Sequence, residues 1–148
     1  RLWNSERPCV FDRKYVYIFP EKLDVVKMQQ GAACYLGTHD FSAFCANRGK
    51  KKSTVRRIDE ISIVREGGEM IFSYTGNGFL YNMVRIMVGT LAEVAEGRMT
   101  PESIPARLDS LDRGSFGRTA PAEGLYLNRV FYNDPDRAGY HPEEGGTS

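Results

Sequence analysis

One apolar stripe constrains the fold of this chain more than any other feature of its sequence. Between residues 80 and 95, apolar side chains recur three or four positions apart, a spacing that places them on one face of an α-helix. The stripe consists of Leu80, Met83, Val84, Met87, Val88, Leu91, Val94 and Ala95. The pattern predicts a buried helix of about 17 residues that ends near Gly97 and needs a second layer to cover it.

Weaker patterns predict the elements around this helix. Asp24 is a good N-cap for a helix that ends at Gly37. A shorter helix near the end of the chain carries three apolar residues, Ile104, Leu108 and Leu111. Runs of β-branched and aromatic residues predict strands, namely residues 13–19, 55–64, 70–75 and 124–132. The turn Glu66-Gly67-Gly68-Glu69 predicts that the second and third of these form a hairpin. Interleaved helices and strands favour an α+β fold, an antiparallel sheet with helices packed on one face.

Composition and length limit the class of protein. The chain has 148 residues, 41% of them hydrophobic and 26% charged, which excludes wholesale disorder and suits one domain. We expect this domain at residues 1–133 and a polar, flexible tail at residues 134–148. The longest uncharged stretch, Met70–Val84, is too short and too polar to span a membrane.

The beginning of the chain and its cysteines indicate the compartment. The first residue is Arg and no signal-peptide pattern follows, so we expect an excised piece of a longer protein. Three widely spaced cysteines, Cys9, Cys34 and Cys45, do not form a disulfide framework. Both features favour the reducing cytoplasm.

Positive charge is concentrated in one part of the chain. Residues 41–58 contain six cations and no acids, whereas the chain as a whole has 20 cations against 19 acids. The six cations are Arg48, Lys50, Lys51, Lys52, Arg56 and Arg57. Such a stretch can bind nucleic-acid phosphates or can be a solvated loop, and the sequence leaves both interpretations open.

The sequence offers few groups for catalysis. It contains two histidines, His39 and His141, and no CxxC or HExxH motif, so the residues predict no metal site. Gly76-Asn77-Gly78 is a lone GxG and a weak indication of nucleotide binding.

Arg85 is the most informative polar residue. It lies at the edge of the apolar stripe, where a guanidinium can bind a carboxylate or phosphate, or can reach water past the core.

Three aromatic residues, Phe41, Phe44 and Phe79, are expected in the core. Leu125 and Leu127 alternate with polar neighbours and are also expected to face the core from a strand. These residues alone indicate an α+β domain that could bind RNA. They do not indicate which reaction, if any, the protein catalyses.

Four segments together resemble one enzyme family. They are GTHDFSAFC (Gly37–Cys45), VRRI (Val55–Ile58), GNGFLYNMVRIMVGTLAEV (Gly76–Val94) and LDRGSFGRTAPAEGLYL (Leu111–Leu127). Their order and spacing resemble the C-terminal half of the tRNA pseudouridine synthase A family, from about Arg1 to Tyr132. The resemblance implies the pseudouridine synthase fold, of which this chain would be the ferredoxin-like half.

The resemblance also implies an activity and partners. Members of this family isomerise uridine to pseudouridine in the anticodon stem-loop of tRNA, as homodimers, without cofactor or metal. Their nucleophile is an aspartate in a GRTD-type motif of the N-terminal half, which this chain lacks. Arg13-Lys14-Tyr15-Val16-Tyr17 is similar to a second family motif, R-x-Y-x-Y. We place it instead on the strand before the helix at Asp24, because residues 1–5 resemble the segment that follows the true motif.

Two positions correspond to active-site residues of the family. Arg85 matches the arginine that pairs with the catalytic aspartate, and Leu125 matches an apolar residue beside the reacting base. The six cations would then belong to the tRNA-binding surface. The alternatives are a non-catalytic RNA-binding or dimerisation module and a domain that binds a small molecule.

Overall fold

The computed structural model describes residues 1–46, 53–111 and 118–130. Five strands of the described residues form one sheet in the order β2-β1-β5-β4-β3. The strands are β1 (Leu2–Trp3), β2 (Tyr17–Ile18), β3 (Gly37–Asp40), β4 (Val55–Glu66) and β5 (Glu69–Gly76). The helices are α1 (Val25–Ala33), α2 (Met83–Ala95) and α3 (Ser103–Ser110), with 3₁₀ turns at Ser42–Phe44 and Ala122–Gly124.

The β4–β5 hairpin is the centre of the sheet and confirms the predicted pairing. Ile63 lies opposite Phe72, and Gly67 at the turn has φ +60°, a left-handed conformation that glycine adopts easily. On one face Ile63 and Met70 are buried, whereas Val64 and Ser73 point to the other face and are exposed. Since α1 packs on both β4 and α2, the helices cover one face, as the sequence predicted.

The outer part of the sheet differs from the prediction. β1 pairs antiparallel with β5 but parallel with β2, so the sheet is mixed. The predicted strand at residues 13–19 is reduced to Tyr17–Ile18. A parallel pair needs a connection of about a dozen residues, and the chain between Trp3 and Tyr17 provides one.

The long helix α2 is buried but shorter than predicted. It begins after Asn82, whose φ of 60° is incompatible with a helix, and it ends before Gly97, whose φ is +81°. Ile86 and Met87 are completely buried, whereas Val88 of the predicted stripe is half-buried. The apolar face is therefore rotated by about one residue from the predicted stripe.

α1 and an aromatic cluster complete the core beside α2. Asp24 caps α1 as predicted, since its side chain accepts a hydrogen bond from the Lys27 amide at 3.2 Å, but α1 ends at Ala33. Three buried rings pack edge to face, with centroids 5.3 and 5.9 Å apart, and belong to Tyr35, Phe44 and Phe41. Burial raises the pKa of the Tyr35 phenol well above its usual range, so this side chain stays neutral.

Several predictions are wrong, most of them near the end of the chain. No strand forms over residues 124–130, although Gly124 lies close to Arg1: a Cβ on Gly124 would be 2.3 Å from the Arg1 carbonyl oxygen. Leu127, expected in the core, is 84% exposed, and Leu111 ends α3 in a left-handed conformation on the surface. Phe79 is also exposed, because it lies in the loop before α2. The predicted tail at residues 134–148 lies outside the described residues.

Of the helices that the structure describes, none combines the length and the apolar character that crossing a membrane requires.

Candidate active site around Arg85

The guanidinium of Arg85 is held by two neutral oxygens. Its Nε donates to the carbonyl of Ala120 at 2.7 Å, and its Nη1 donates to Oδ1 of Asn82 at 2.9 Å. The Ala120 amide donates in return to the Arg85 carbonyl at 3.0 Å. Arg85 is half-buried in the first turn of α2, so both its main chain and its side chain are fixed to Ala120.

The other donors of the Arg85 guanidinium are available for an anion. Within the described ranges, Arg85 makes no further hydrogen bond and no salt bridge, which leaves Nη2 without a partner. A guanidinium has a planar set of donors that matches the two oxygens of a carboxylate. The site therefore presents a positive charge of fixed orientation at the edge of the core.

The segment that carries Ala120 is pressed against α2. A Cβ on Gly89 would lie 2.0 Å from the Arg118 carbonyl oxygen, so only glycine fits at this position of the helix. Nη2 of Arg118 donates to Oε2 of Glu96 at 2.9 Å, and the Arg118 guanidinium lies 5.3 Å from the centre of the Phe19 ring. These contacts hold the segment at residues 118–120 in position and so align the Ala120 carbonyl with Arg85.

Leu125 follows the same segment after one 3₁₀ turn. Its amide donates to the Ala122 carbonyl at 3.0 Å, and the adjacent Gly124 carbonyl accepts a hydrogen bond from the main-chain nitrogen of Arg1 at 2.7 Å. The Leu125 side chain is 48% exposed. Arg85 is thus hydrogen-bonded to Ala120 of this anchored segment, and Leu125, five residues later, presents an accessible apolar side chain.

The basic residues are described only in part. Arg48, Lys50, Lys51 and Lys52 lie outside the described residues. Arg56 and Arg57 lie in β4 opposite His39 and Thr38 of β3. Nη1 of Arg56 donates to two nearby carbonyls, and Nε of Arg57 pairs with Asp59 at 2.7 Å. Neither arginine is hydrogen-bonded to Arg85.

Gly76-Asn77-Gly78 has a structural role beside these arginines. Oδ1 of Asn77 accepts a hydrogen bond from the Arg57 amide at 2.8 Å, and the Asn77 amide donates to the Arg57 carbonyl at 3.0 Å. The lone GxG therefore extends the β4–β5 pairing.

Sequence reasoning missed three residues of the site, Asn82, Gly89 and Ala120. Gly89 could have been identified from the sequence. A glycine inside an apolar helix costs about 1 kcal/mol relative to alanine, and it therefore indicates a close approach of another chain segment. Asn82 and Ala120 carried no such signal, since their contact with Arg85 depends on tertiary structure. Across the residues described, no three His, Cys, Asp or Glu side chains are grouped to hold a metal ion.

Comparisons with known proteins identify the family. The sequence model of the tRNA pseudouridine synthase family matches residues 32–133. A tRNA pseudouridine synthase A 1 of Bacillus cereus is 46% identical over 134 residues, which are 90% of this chain and 54% of that protein. A tRNA pseudouridine synthase A of Acetivibrio thermocellus is 47% identical over 131 residues, 88% of this chain and 54% of that protein. The chain thus spans about half the length of these curated relatives, and it belongs to the tRNA pseudouridine synthase family.

Proposed function

We propose that this chain is part of a tRNA pseudouridine synthase that converts uridines of the anticodon stem-loop to pseudouridine. The observation that supports this most strongly is the Arg85 guanidinium, which is held by Ala120 and Asn82 while its Nη2 has no partner among the described residues. In the reaction, the bond between N1 of uracil and C1′ of the ribose breaks, the base turns, and a C5–C1′ bond forms as C5 loses its proton and N1 gains one, so that no oxidant or reductant is needed.

Arg85 would serve the aspartate nucleophile, which the family resemblance places in the other half of the enzyme. A carboxylate attacks only when it is ionised, and an adjacent guanidinium favours the ionised form. Two parallel hydrogen bonds would also fix the direction from which the carboxylate approaches the flipped nucleotide. Because Asn82 and Ala120 are neutral, they orient Arg85 without cancelling its charge.

Leu125 would form an apolar wall of the same cleft. Its half-exposed side chain extends from an anchored segment and can exclude water from the reacting base. We also propose that the enzyme works in the cytoplasm as a homodimer. Large apolar side chains on the surface of the described residues, such as Phe11, Ile18 and Leu127, support association with a partner surface.

Formation of pseudouridine tests this proposal directly. The substrate is tRNA labelled with tritium at C5 of uridine, and the sample is the full gene product, meaning the polypeptide encoded by the gene that contains this chain. We expect tritium release and pseudouridine in the anticodon stem-loop. We expect none from residues 1–148 alone, because this sequence has no GRTD-type motif. Tight tRNA binding without any pseudouridine would instead favour a non-catalytic RNA-binding module.

The basic stretch is proposed to bind tRNA phosphates. Replacing Lys50, Lys51 and Lys52 by Ala in the full gene product should weaken tRNA binding. It should also reduce the slope of log affinity against log salt by up to about 0.9 per lost contact, because fewer counterions are released. Fluorescence anisotropy with a labelled tRNA at several salt concentrations measures both effects.

A charge-matched variant provides the control for this experiment. Arg13, Lys14 and Lys22 are exposed cations outside the basic stretch, and replacing all three by Ala removes the same charge. We expect the salt slope of this control to stay near that of the wild type. Equal slopes for the lysine variant and the wild type would identify the three lysines as a solvated loop.

A further inference from the structure

The geometry points to Asn82 as a positioning residue that fixes the orientation of the Arg85 guanidinium. The inference rests on the proposed function, because it concerns the presentation of Arg85 to the nucleophile. Asn82 immediately precedes α2, and its Oδ1 accepts the hydrogen bond from Nη1 of Arg85 at 2.9 Å.

Asn82 occupies the N-cap position without capping the helix. N-cap residues usually have extended backbones, and their side chains accept a hydrogen bond from an amide of the first turn. Asn82 has φ 60° and ψ 8°, and its side chain makes no such bond. The helix thus gains no cap from a residue in an unfavourable conformation, and the side chain is directed at Arg85 instead. A backbone outlier maintained for a contact with one functional group indicates a role at the site.

Two acceptors on different elements determine the orientation of the guanidinium. The Ala120 carbonyl fixes Nε and the Asn82 amide fixes Nη1, so the plane of the group cannot rotate freely. A long side chain that is already ordered loses less entropy when it binds a partner, and it holds that partner in a reactive geometry. Nη2, which has no partner among the described residues, is then held in a fixed direction.

Asparagine meets both requirements of this position. It tolerates the left-handed conformation better than other residues with side chains, and it offers a neutral acceptor. An aspartate would offer the same acceptor, but its negative charge would pair with Arg85. That ion pair would weaken the influence of Arg85 on the carboxylate of the nucleophile.

Two substitutions in the full gene product separate these requirements. Asn82→Gly keeps the left-handed backbone and removes the acceptor, and we expect kcat to fall about tenfold with little change in KM or Tm. Asn82→Asp keeps the acceptor and adds a charge. We expect a larger loss of kcat and a shift of the acidic limb of the pH–rate profile to higher pH, because the nucleophile then ionises less readily.

Reference variants make the result decisive. Leu111, with φ 55° at the end of α3, is the matched control, and Leu111→Gly should leave kcat unchanged. Arg85→Lys should lower kcat, and adding Asn82→Gly to it should have little further effect, because the two side chains act as one unit. If Asn82→Gly keeps the wild-type kcat and pH profile while Arg85→Lys has a low kcat, the role of Asn82 is overturned and the role of Arg85 is not. Wild-type kcat for Arg85→Lys would overturn both this inference and the proposed role of Arg85.

Discussion

Arg85→Lys is expected to lower the turnover of the full gene product at least about tenfold, or about 1.4 kcal/mol of transition-state stabilisation. The ammonium of lysine keeps the charge but lacks the planar fork. Arg85 donates to Ala120 through Nε and to Asn82 through Nη1, and its fork can still present two parallel donors to a carboxylate. The lysine ammonium cannot make both sets of bonds at once. Because the lysine stem covers similar apolar surface, we expect the fold to persist.

Arg65→Lys is the matched control for the Arg85 variant. Arg65 also binds neutral oxygens of an asparagine, with Nη1 donating to the Asn4 carbonyl at 3.1 Å and Nη2 to Asn4 Oδ1 at 2.8 Å. Both variants should lose similar stability in thermal unfolding, but only Arg85→Lys should lose turnover. The assignment of Arg85 is contradicted if its variant retains wild-type kcat, or if its activity falls only in proportion to the unfolded fraction.

Gly89→Ala is expected to destabilise the domain by about 1–3 kcal/mol, although alanine is the better helix former. The added Cβ would lie 2.0 Å from the carbonyl oxygen and 2.8 Å from the carbonyl carbon of Arg118. The segment at residues 118–120 must therefore move away from α2. Because that segment carries the Ala120 carbonyl, the hydrogen bond to Arg85 should weaken and turnover should fall as well.

Gly31→Ala provides the comparison for Gly89→Ala. Gly31 is also inside a helix, but a Cβ there would meet the ends of the Leu91 and Ile104 side chains, at 2.9 and 3.1 Å. Side-chain ends can shift by a few tenths of an ångström, whereas the Arg118 carbonyl belongs to the backbone and cannot shift without moving the segment at residues 118–120. Urea denaturation with unchanged m-values should give a clearly smaller loss for Gly31→Ala. Equal losses would contradict this prediction, because the backbone contact of Gly89 with Arg118 would then cost no more than the side-chain contacts of Gly31.

Local signals predicted much of the fold correctly. Asp24 caps α1, Gly67 lies at the turn of the β4–β5 hairpin, and Gly97 follows the end of α2. Each of these depends on neighbours within a few residues, which the sequence displays directly. The predicted helix starts at residue 80, but α2 begins only at Met83, because the backbone of Asn82 is left-handed. No sequence pattern predicts that conformation at Asn82.

Tertiary contacts explain where the sequence misled. Leu125 and Leu127 alternate with polar residues as in a strand, but both side chains are exposed, and the segment is fixed instead by the contact of Gly124 with Arg1. The parallel alignment of β2 with β1 depends on the path of the loop between them. Both contacts join residues that are far apart in the sequence, so neither produces a periodic pattern from which it could be predicted.

The candidate site was only half predictable for the same reason. The stripe placed Arg85 at the edge of the core but left two roles open, and only the family resemblance favoured the catalytic one. The acceptor that fixes Nε comes from Ala120, 35 residues away, and its alignment depends on the contact between Gly89 and Arg118. Such an arrangement is visible only once the chain is folded.

A crystal structure of the full gene product would show the distance between the Arg85 guanidinium and the nucleophilic carboxylate, on which the proposed role of Arg85 depends. We expect Nη2 of Arg85 to lie about 2.7–2.9 Å from an oxygen of that aspartate, with the bonds to Ala120 and Asn82 retained. An aspartate nucleophile held by other residues, with Arg85 directed to solvent, would contradict the proposed role.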